Sequence, residues 1–244
     1  MKFKDFEMIP SLGKTLTVAM TLALVGAPVS TAYARPDVPP GQVKTTVYDY
    51  RDFTGPGVTQ KQFVQHRSDG SEVDVTQRLI RPEPGELIIE HLRSANGVPL
   101  SLNVWYYYVT DTDFLWYRNE VLDPQTYEER FTENFSPPQN LRQSVMPEGV
   151  IHGDAVDVSA TLDGEEIAKY GATRSNTALG LDDVEVPYGT FSDCLRMWEE
   201  AGTNHSVTWY CPGVGRTKIV SGNPDTRQVM ELVDCVGCPD QTDE

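Results

Sequence analysis

Along most of this chain, apolar residues recur at every second position. Val73, Val75 and Leu79 do so, as do Leu100, Leu102, Val104, Tyr106 and Tyr108, then Val156, Val158 and Ala160, then Val184 and Val186. A period of two sends alternate side chains to opposite faces of an extended chain, so these runs predict half-buried strands. Asp163-Gly164 separates two of them and predicts a tight hairpin turn. One segment reads differently. In DPQTYEERFTENF, Asp123 to Phe135, the residues Tyr127, Phe131 and Phe135 recur every four positions. Asp123 as N-cap and Pro124 at the first helical position predict one short helix over 124 to 135. The pattern as a whole is all-β, with no internal repeat, P-loop or dinucleotide-binding glycine motif.

The most aromatic stretch is NVWYYYVTDTDFLWYRN, Asn103 to Asn119. A loop at Thr110 to Asp113 would set Tyr107 opposite Trp116 and Tyr106 opposite Tyr117, giving aromatic pairs on both faces of one hairpin. Such pairs contribute about 0.2 to 1 kcal/mol each. They serve as sheet core or, if one face is open, as a ligand wall. Trp105, Tyr106, Tyr107, Tyr108, Trp116 and Tyr117 are therefore the candidate ligand-lining residues.

Residues 1 to 34 read as an export signal: Lys2, Lys4 and Lys14 precede the apolar run Leu16 to Ala27, and Ala32-Tyr33-Ala34 is a small-x-small cleavage site. The run is too short for a membrane span, which needs about 20 residues. A Pro-rich lead-in at 35 to 42, one domain at 43 to 238 and an acidic tail at 239 to 244 follow. The formal net charge of −16 repels phosphate backbones and anionic membranes, so nucleic acid is not an expected partner. With no further apolar run, the exported chain is expected to be soluble in the periplasm or secreted, not an integral membrane protein.

The four cysteines fit that compartment. If Gly202-Thr203 is a two-residue type II′ loop, position i faces 405 − i and Cys194 faces Cys211 in a non-hydrogen-bonded pair. Their Cα atoms would lie about 4.5 Å apart, at the short edge of the range a disulfide accepts. The same register sets Arg196 beside Trp209 and Trp198 beside Val207, with Leu195, Met197 and Tyr210 on the other face. Cys235-Val-Gly-Cys238 has too little chain after it for the helix of a thioredoxin-type site, and Asp234, Asp240, Asp243 and Glu244 oppose a thiolate. A tail disulfide within the pair is the leading expectation, pairing with Cys194 or Cys211 the alternative.

No catalytic pattern emerges. No serine lies in G-x-S-x-G, and His66, His91, His152 and His205 lack metal-ligand spacing. Glu128-Glu129, Glu165-Glu166 and Glu199-Glu200 are adjacent carboxylates that point in different directions and read as solvated surface, not as an acid and base. The expectation is a protein without enzyme activity, metal or cofactor.

GLDDVEVPYGTFSDCLRM, Gly180 to Met197, with WYCPGVGRTKIV, Trp209 to Val220, resembles the TapB-like family of bacterial exported proteins of unknown function. Val186-Pro187, Gly189-Thr190-Phe191, Leu195, Tyr210, Pro212-Gly213-Val214-Gly215 and Lys218 carry the resemblance. PEGVIHGDAVDVSAT is similar to the family's strand entry but lacks its tryptophan at Ala155-Val156. In physical terms Pro187 belongs at a strand end, and Pro212-Gly213-x-Gly215 turns one strand tightly into the next. The resemblance implies a lipoprotein-carrier-like fold: a curved antiparallel half-barrel closed on its concave side by helix or loop. A β-sandwich is the alternative. It further implies a concave face able to hold an apolar ligand, a lipid or acyl chain. The alternatives are an envelope interaction or assembly protein without a ligand, and a carbohydrate-binding module.

Overall fold

The computed structural model describes residues 46 to 239 except 144 and 224. The expected signal segment at 1 to 34, the lead-in at 35 to 42 and the tail from 240 onward lie outside the described residues. Fourteen strands form: β1 Val47–Asp49, β2 Gln60–Arg67, β3 Glu72–Ile80, β4 Glu86–Ala95, β5 Val98–Val109, β6 Asp113–Leu122, β7 Glu129–Gln143, β8 Val145–Pro147, β9 Ile151–Leu162, β10 Glu165–Val186, β11 Gly189–Ala201, β12 Asn204–Cys211, β13 Gly215–Ser221 and β14 Gln228–Val236. Twelve of them make one closed antiparallel barrel in the order β10-β11-β12-β13-β14-β2-β3-β4-β5-β6-β7-β9.

The expected half-barrel is therefore wrong, as is the sandwich alternative. An open sheet leaves two rows of unpaired backbone groups, whereas here β14 pairs with β2 and β9 pairs with both β7 and β10, so the ring has no free edge. The closure is long-range, and a pattern of local alternation does not report it.

The helix expected at 124 to 135 does not form. The Asp123 carboxylate does accept the N–H groups of Gln125 and Thr126, at 2.8 and 2.9 Å, but it caps a turn. Tyr127 takes φ +61°, and β7 begins at Glu129. A spacing of four is also twice the strand period, so Phe131 and Phe135 keep to one side of a strand as readily as of a helix. The described residues hold only a 3-10 turn, Tyr50–Phe53, opened by Asp49.

The hairpins follow their turn chemistry. Asp163 and Gly164 both have positive φ, as a type I′ turn requires. At Gly202-Thr203 only the glycine does, and the register is the expected one: Ala201 faces Asn204, Arg196 faces Trp209 and Leu195 faces Tyr210. Cys194 and Cys211 are joined, with their Cα atoms 4.1 Å apart, and Cys235 is joined to Cys238. The Pro212 to Gly215 turn links β12 to β13 through positive φ at Gly213 and Gly215.

Successive barrel strands alternate in direction, so the β3–β4, β5–β6, β7–β9, β10–β11 and β12–β13 connections and the end of β14 share one end of the barrel. Residues 46 to 58 lie across this end as a strap. β1 pairs with β8 in the β7–β9 connection, and Tyr48, Tyr50 and Phe53 are buried against Met146, Leu195, Met197 and Tyr210. The Arg81 guanidinium donates to the carbonyls of Gly55 and Val58, each at 2.9 Å. Gly55 lies so close to β12–β13 that a Cβ there would sit 2.6 Å from the Val214 carbonyl oxygen. A second cluster fills the region around the disulfide: Phe63, Val75, Leu232, Val184 and Phe191 pack with Cys194 and Cys211, and the β10–β11 tip docks through Tyr188 N–H to the Leu232 carbonyl, 3.0 Å.

Candidate ligand site in the barrel lumen

Six strands contribute to one cavity of about 130 Å³: Trp105 and Tyr107 from β5, Trp116 from β6, Leu141 and Arg142 from β7, Arg174 to Asn176 from β10, Glu199 from β11 and Arg216 from β13. β5 and β13 are separated by four strands one way around the ring, so the residues meet only across the lumen. Inward positions are set by strand parity. Leu195, Met197 and Glu199 alternate on β11, and Ala172, Arg174 and Asn176 on β10.

A guanidinium cluster forms one wall. Arg142 is 6% exposed; its Nη2 donates to both the Glu199 carboxylate and the Tyr210 hydroxyl. Tyr210 donates to Glu199 at 2.9 Å and accepts from Arg216 at 3.2 Å, while the Thr208 hydroxyl donates to the other Glu199 oxygen at 2.7 Å. The strap reaches this cluster: the Arg142 guanidinium lies 4.8 Å from the centre of the Tyr50 ring and 4.6 Å from that of Tyr210. Facing it is an aromatic wall. Trp116 packs on Phe135 at 4.4 Å, Arg174 lies over Trp116 at 5.2 Å, and Trp105 packs against His91 at 4.9 Å.

The charge balance inside differs from that of the whole chain. Arg142, Arg174 and Arg216 stand against Glu199 in a protein with net charge −16. Asp154, cross-strand from Arg174, turns one oxygen to the Asn140 N–H at 2.7 Å. Burial works against charge on Arg142 and Arg216, but Tyr210 and Glu199 beside both hold them firmly protonated. Burial also raises the Glu199 pKa, yet Arg142, Arg216, Arg174 and the Thr208 hydrogen bond outweigh it and bring it to about 2. Nε of Arg142, Nε of Arg216 and Oδ1 of Asn176 are buried without a hydrogen-bond partner. Buried donors of this kind cost about 1 to 3 kcal/mol each when unmet. An anion entering the cavity would meet two of them.

His91 is held neutral. Burial, then Arg216 and Arg93, lower its pKa to about 3, and its Nδ1 lies 3.1 Å from Nε2 of Gln77. Unfolded His91 takes a proton below about pH 6.5, whereas the folded form resists until about 3, so stability falls as pH drops through that window. The depressed Glu199 pKa adds a loss between about 4.5 and 2. Thermal melts at stepped pH should show both, and His91→Gln should flatten the part between 6.5 and 3 while leaving the lower one. An unchanged profile in that variant would show that His91 is not the group responsible.

The structure divides the sequence candidates by face. Trp105, Tyr107 and Trp116 line the cavity. Tyr106, Tyr108 and Tyr117 gather elsewhere: Tyr108 stacks on Tyr117 at 4.2 Å, and the Tyr106 hydroxyl donates to Glu120 at 2.6 Å. Tyr107 faces Trp116 as expected, but a bulge that leaves Tyr117 of β6 unpaired sets Tyr106 opposite Arg118. Glu199, expected on a solvated surface, turns its carboxylate into the lumen with its side chain 12% exposed, while its neighbour Glu200 accepts from Ser175 and Trp198. The arginines were missed. For Arg174, as for Glu199, the signal was a charge in an inward register, in Tyr170-x-Ala172-x-Arg174-x-Asn176-x-Ala178 and Leu195-x-Met197-x-Glu199; Arg142 and Arg216 lie beside irregular pairings and gave none.

No protein-family model and no curated protein matches the sequence. Two solved structures are similar in course. A Bacteroides fragilis protein described as exported with a YmcC-like fold shares 15% identity over 72% of this chain and 94% of its own, with a TM-score of 0.48. A Parabacteroides distasonis protein described as a lipoprotein shares 12% over 75% of this chain and 97% of its own, with a TM-score of 0.49.

Proposed function

We propose that this is an exported binding protein whose barrel lumen holds the anionic group of a small organic molecule. The observation that carries the reading is the cluster of Arg142, Arg174 and Arg216 in one cavity with the Nε donors of Arg142 and Arg216 buried and unmet, alongside the Trp105, Tyr107 and Trp116 wall. Guanidinium groups form strong charge-assisted hydrogen bonds to carboxylates, and the aromatic wall supplies the apolar contact that orients the rest of a ligand. Two disulfides fit a location outside the cytoplasm, periplasmic or secreted. Paired charges on the strands, Arg78 with Glu90 and Lys218 with Glu231, suit a barrel facing water, whereas membrane barrels present an apolar outer belt. The resemblance to TapB-like proteins adds no reaction to this reading.

Titration with benzoate and hexanoate at low salt, followed by tryptophan fluorescence and calorimetry, tests it. Both acids should bind and benzamide should not. Arg174→Gln, a half-buried position at the cavity wall, should weaken both acids about tenfold or more, as expected for a charge-assisted hydrogen bond. Equal binding of benzoate and benzamide, or none of either acid, would overturn the reading. An envelope-assembly role without a ligand would then be favoured.

A further inference from the structure

The lumen cavity is too small to be a whole ligand site. Pockets for small molecules run from about 300 to 1,000 Å³, and this one has about 130 Å³, room for a charged group and little more. A second pocket, of about 470 Å³, lies at the strapped end of the barrel. Its walls are Pro56 of the strap, Pro82 and Pro84 of the β3–β4 connection, Leu87 on β4, Val109 at the end of β5 and Phe114 on β6. All are apolar. Leu87, Val109 and Phe114 belong to one packed cluster with Tyr107 and Leu141, which line the lumen cavity. The Phe114 ring is 4.7 Å from that of Tyr107, 6.2 Å from that of Tyr50 and 5.7 Å from the Arg142 guanidinium. A single layer of side chains therefore separates an apolar pocket from a cationic one.

We infer that the apolar pocket is the tail subsite of the lumen site, and that the ligand class is a single-headed anionic amphiphile. Its acid group meets Arg142, Arg174 and Arg216, and its hydrocarbon chain passes Phe114 to lie among Leu87, Val109 and the prolines. This rests on the proposed lumen site. Charge complementarity sets the orientation: three arginines stand at the inner end, whereas the outer pocket carries Glu83 and Glu86, and the cation that lines it, Arg81, is engaged by the Gly55 and Val58 carbonyls. Passage requires the Phe114 ring to turn.

Calorimetric titration with the series acetate, hexanoate, octanoate and decanoate tests the inference. Each methylene buried tightens binding about fourfold, so decanoate should bind at least tenfold more tightly than hexanoate. Pro84→Trp, at an exposed position where a larger side chain would fill the pocket, should abolish that gain while leaving acetate, which does not reach the tail subsite, unchanged. Arg174→Gln should weaken every member by the same factor and leave the gain per methylene intact. If hexanoate binds but longer acids bind no better, or if the gain survives in Pro84→Trp, the tail subsite is overturned and the lumen reading stands. If no member binds, both fall.

Discussion

Replacing Cys194 and Cys211 together by alanine lowers the thermal midpoint of the barrel by about 6 to 12 °C. The bridge closes a loop with a sequence separation of 17, for which chain entropy gives about 3 kcal/mol. In a domain of this size each kcal/mol moves the midpoint by about 2 to 4 °C. Both cysteines are fully buried among Phe63, Leu232, Val184 and Phe191, where the β10–β11 arm docks on β14, so truncation also leaves a void that adds to the loss. None of the residues packed around the bridge lines the proposed ligand site, to which β11 contributes Glu199 and β13 contributes Arg216, so carboxylate binding to the folded variant should be unchanged. Scanning calorimetry with non-reducing peptide mapping checks both parts. A shift below 2 °C would mean that the bridge does not staple the hairpin, and lost binding at an unchanged midpoint would make it part of the site.

That bridge shows what the sequence makes legible. A hairpin with a short glycine turn is a local object, and one register decides which side chains meet, so the positions of Cys194, Arg196 and Trp209 followed from Gly202 alone. Strand content was legible for the same reason, from Val73 and Val75 through Val184 and Val186. Closure of the ring was not, because it depends on β14 meeting β2 and β9 meeting β10 across long separations, and no residue type marks such an edge. The segment from Asp123 to Phe135 failed through an ambiguity of period, since Phe131 and Phe135 satisfy both a helix and a strand.

The site was half legible by the same logic. Trp105, Tyr107 and Trp116 were visible as an aromatic hairpin, but which face was open required the barrel. Arg142, Arg174 and Arg216 lie on three strands far apart in sequence, and only closure brings them together. Arg174 is a charge at a position that parity assigns to the interior, whereas Arg142 and Arg216 lie beside irregularities in strand pairing that simple alternation does not report. Burial of a charge without a partner is costly enough that an inward arginine implies either a partner or a ligand. Glu199 supplies one partner. Nε of Arg142 and Nε of Arg216 are buried without one.

Arg142→Met should be the most damaging single substitution at the site, costing about 3 to 5 kcal/mol. The new side chain is apolar and unbranched, so little volume is lost and the effect reports the charge. Without Arg142, Glu199 stays buried between Thr208 and Tyr210 with Arg216 and Arg174 as its remaining countercharges, and breaking one partner of a buried pair costs about that much. The Tyr50 and Tyr210 rings also lose the guanidinium they pack on, so the strap over the lumen should loosen with it. The pair Arg142→Met with Glu199→Gln removes both charges at once and should recover about 1 to 3 kcal/mol of the loss, the coupling expected between groups in one network. Urea unfolding of the wild type, both single variants and the pair gives the cycle directly. Additive losses, with no recovery in the double variant, would show that Arg142 and Glu199 do not act as a pair. In that outcome Arg142 would keep its place only as a packing element beneath Tyr50.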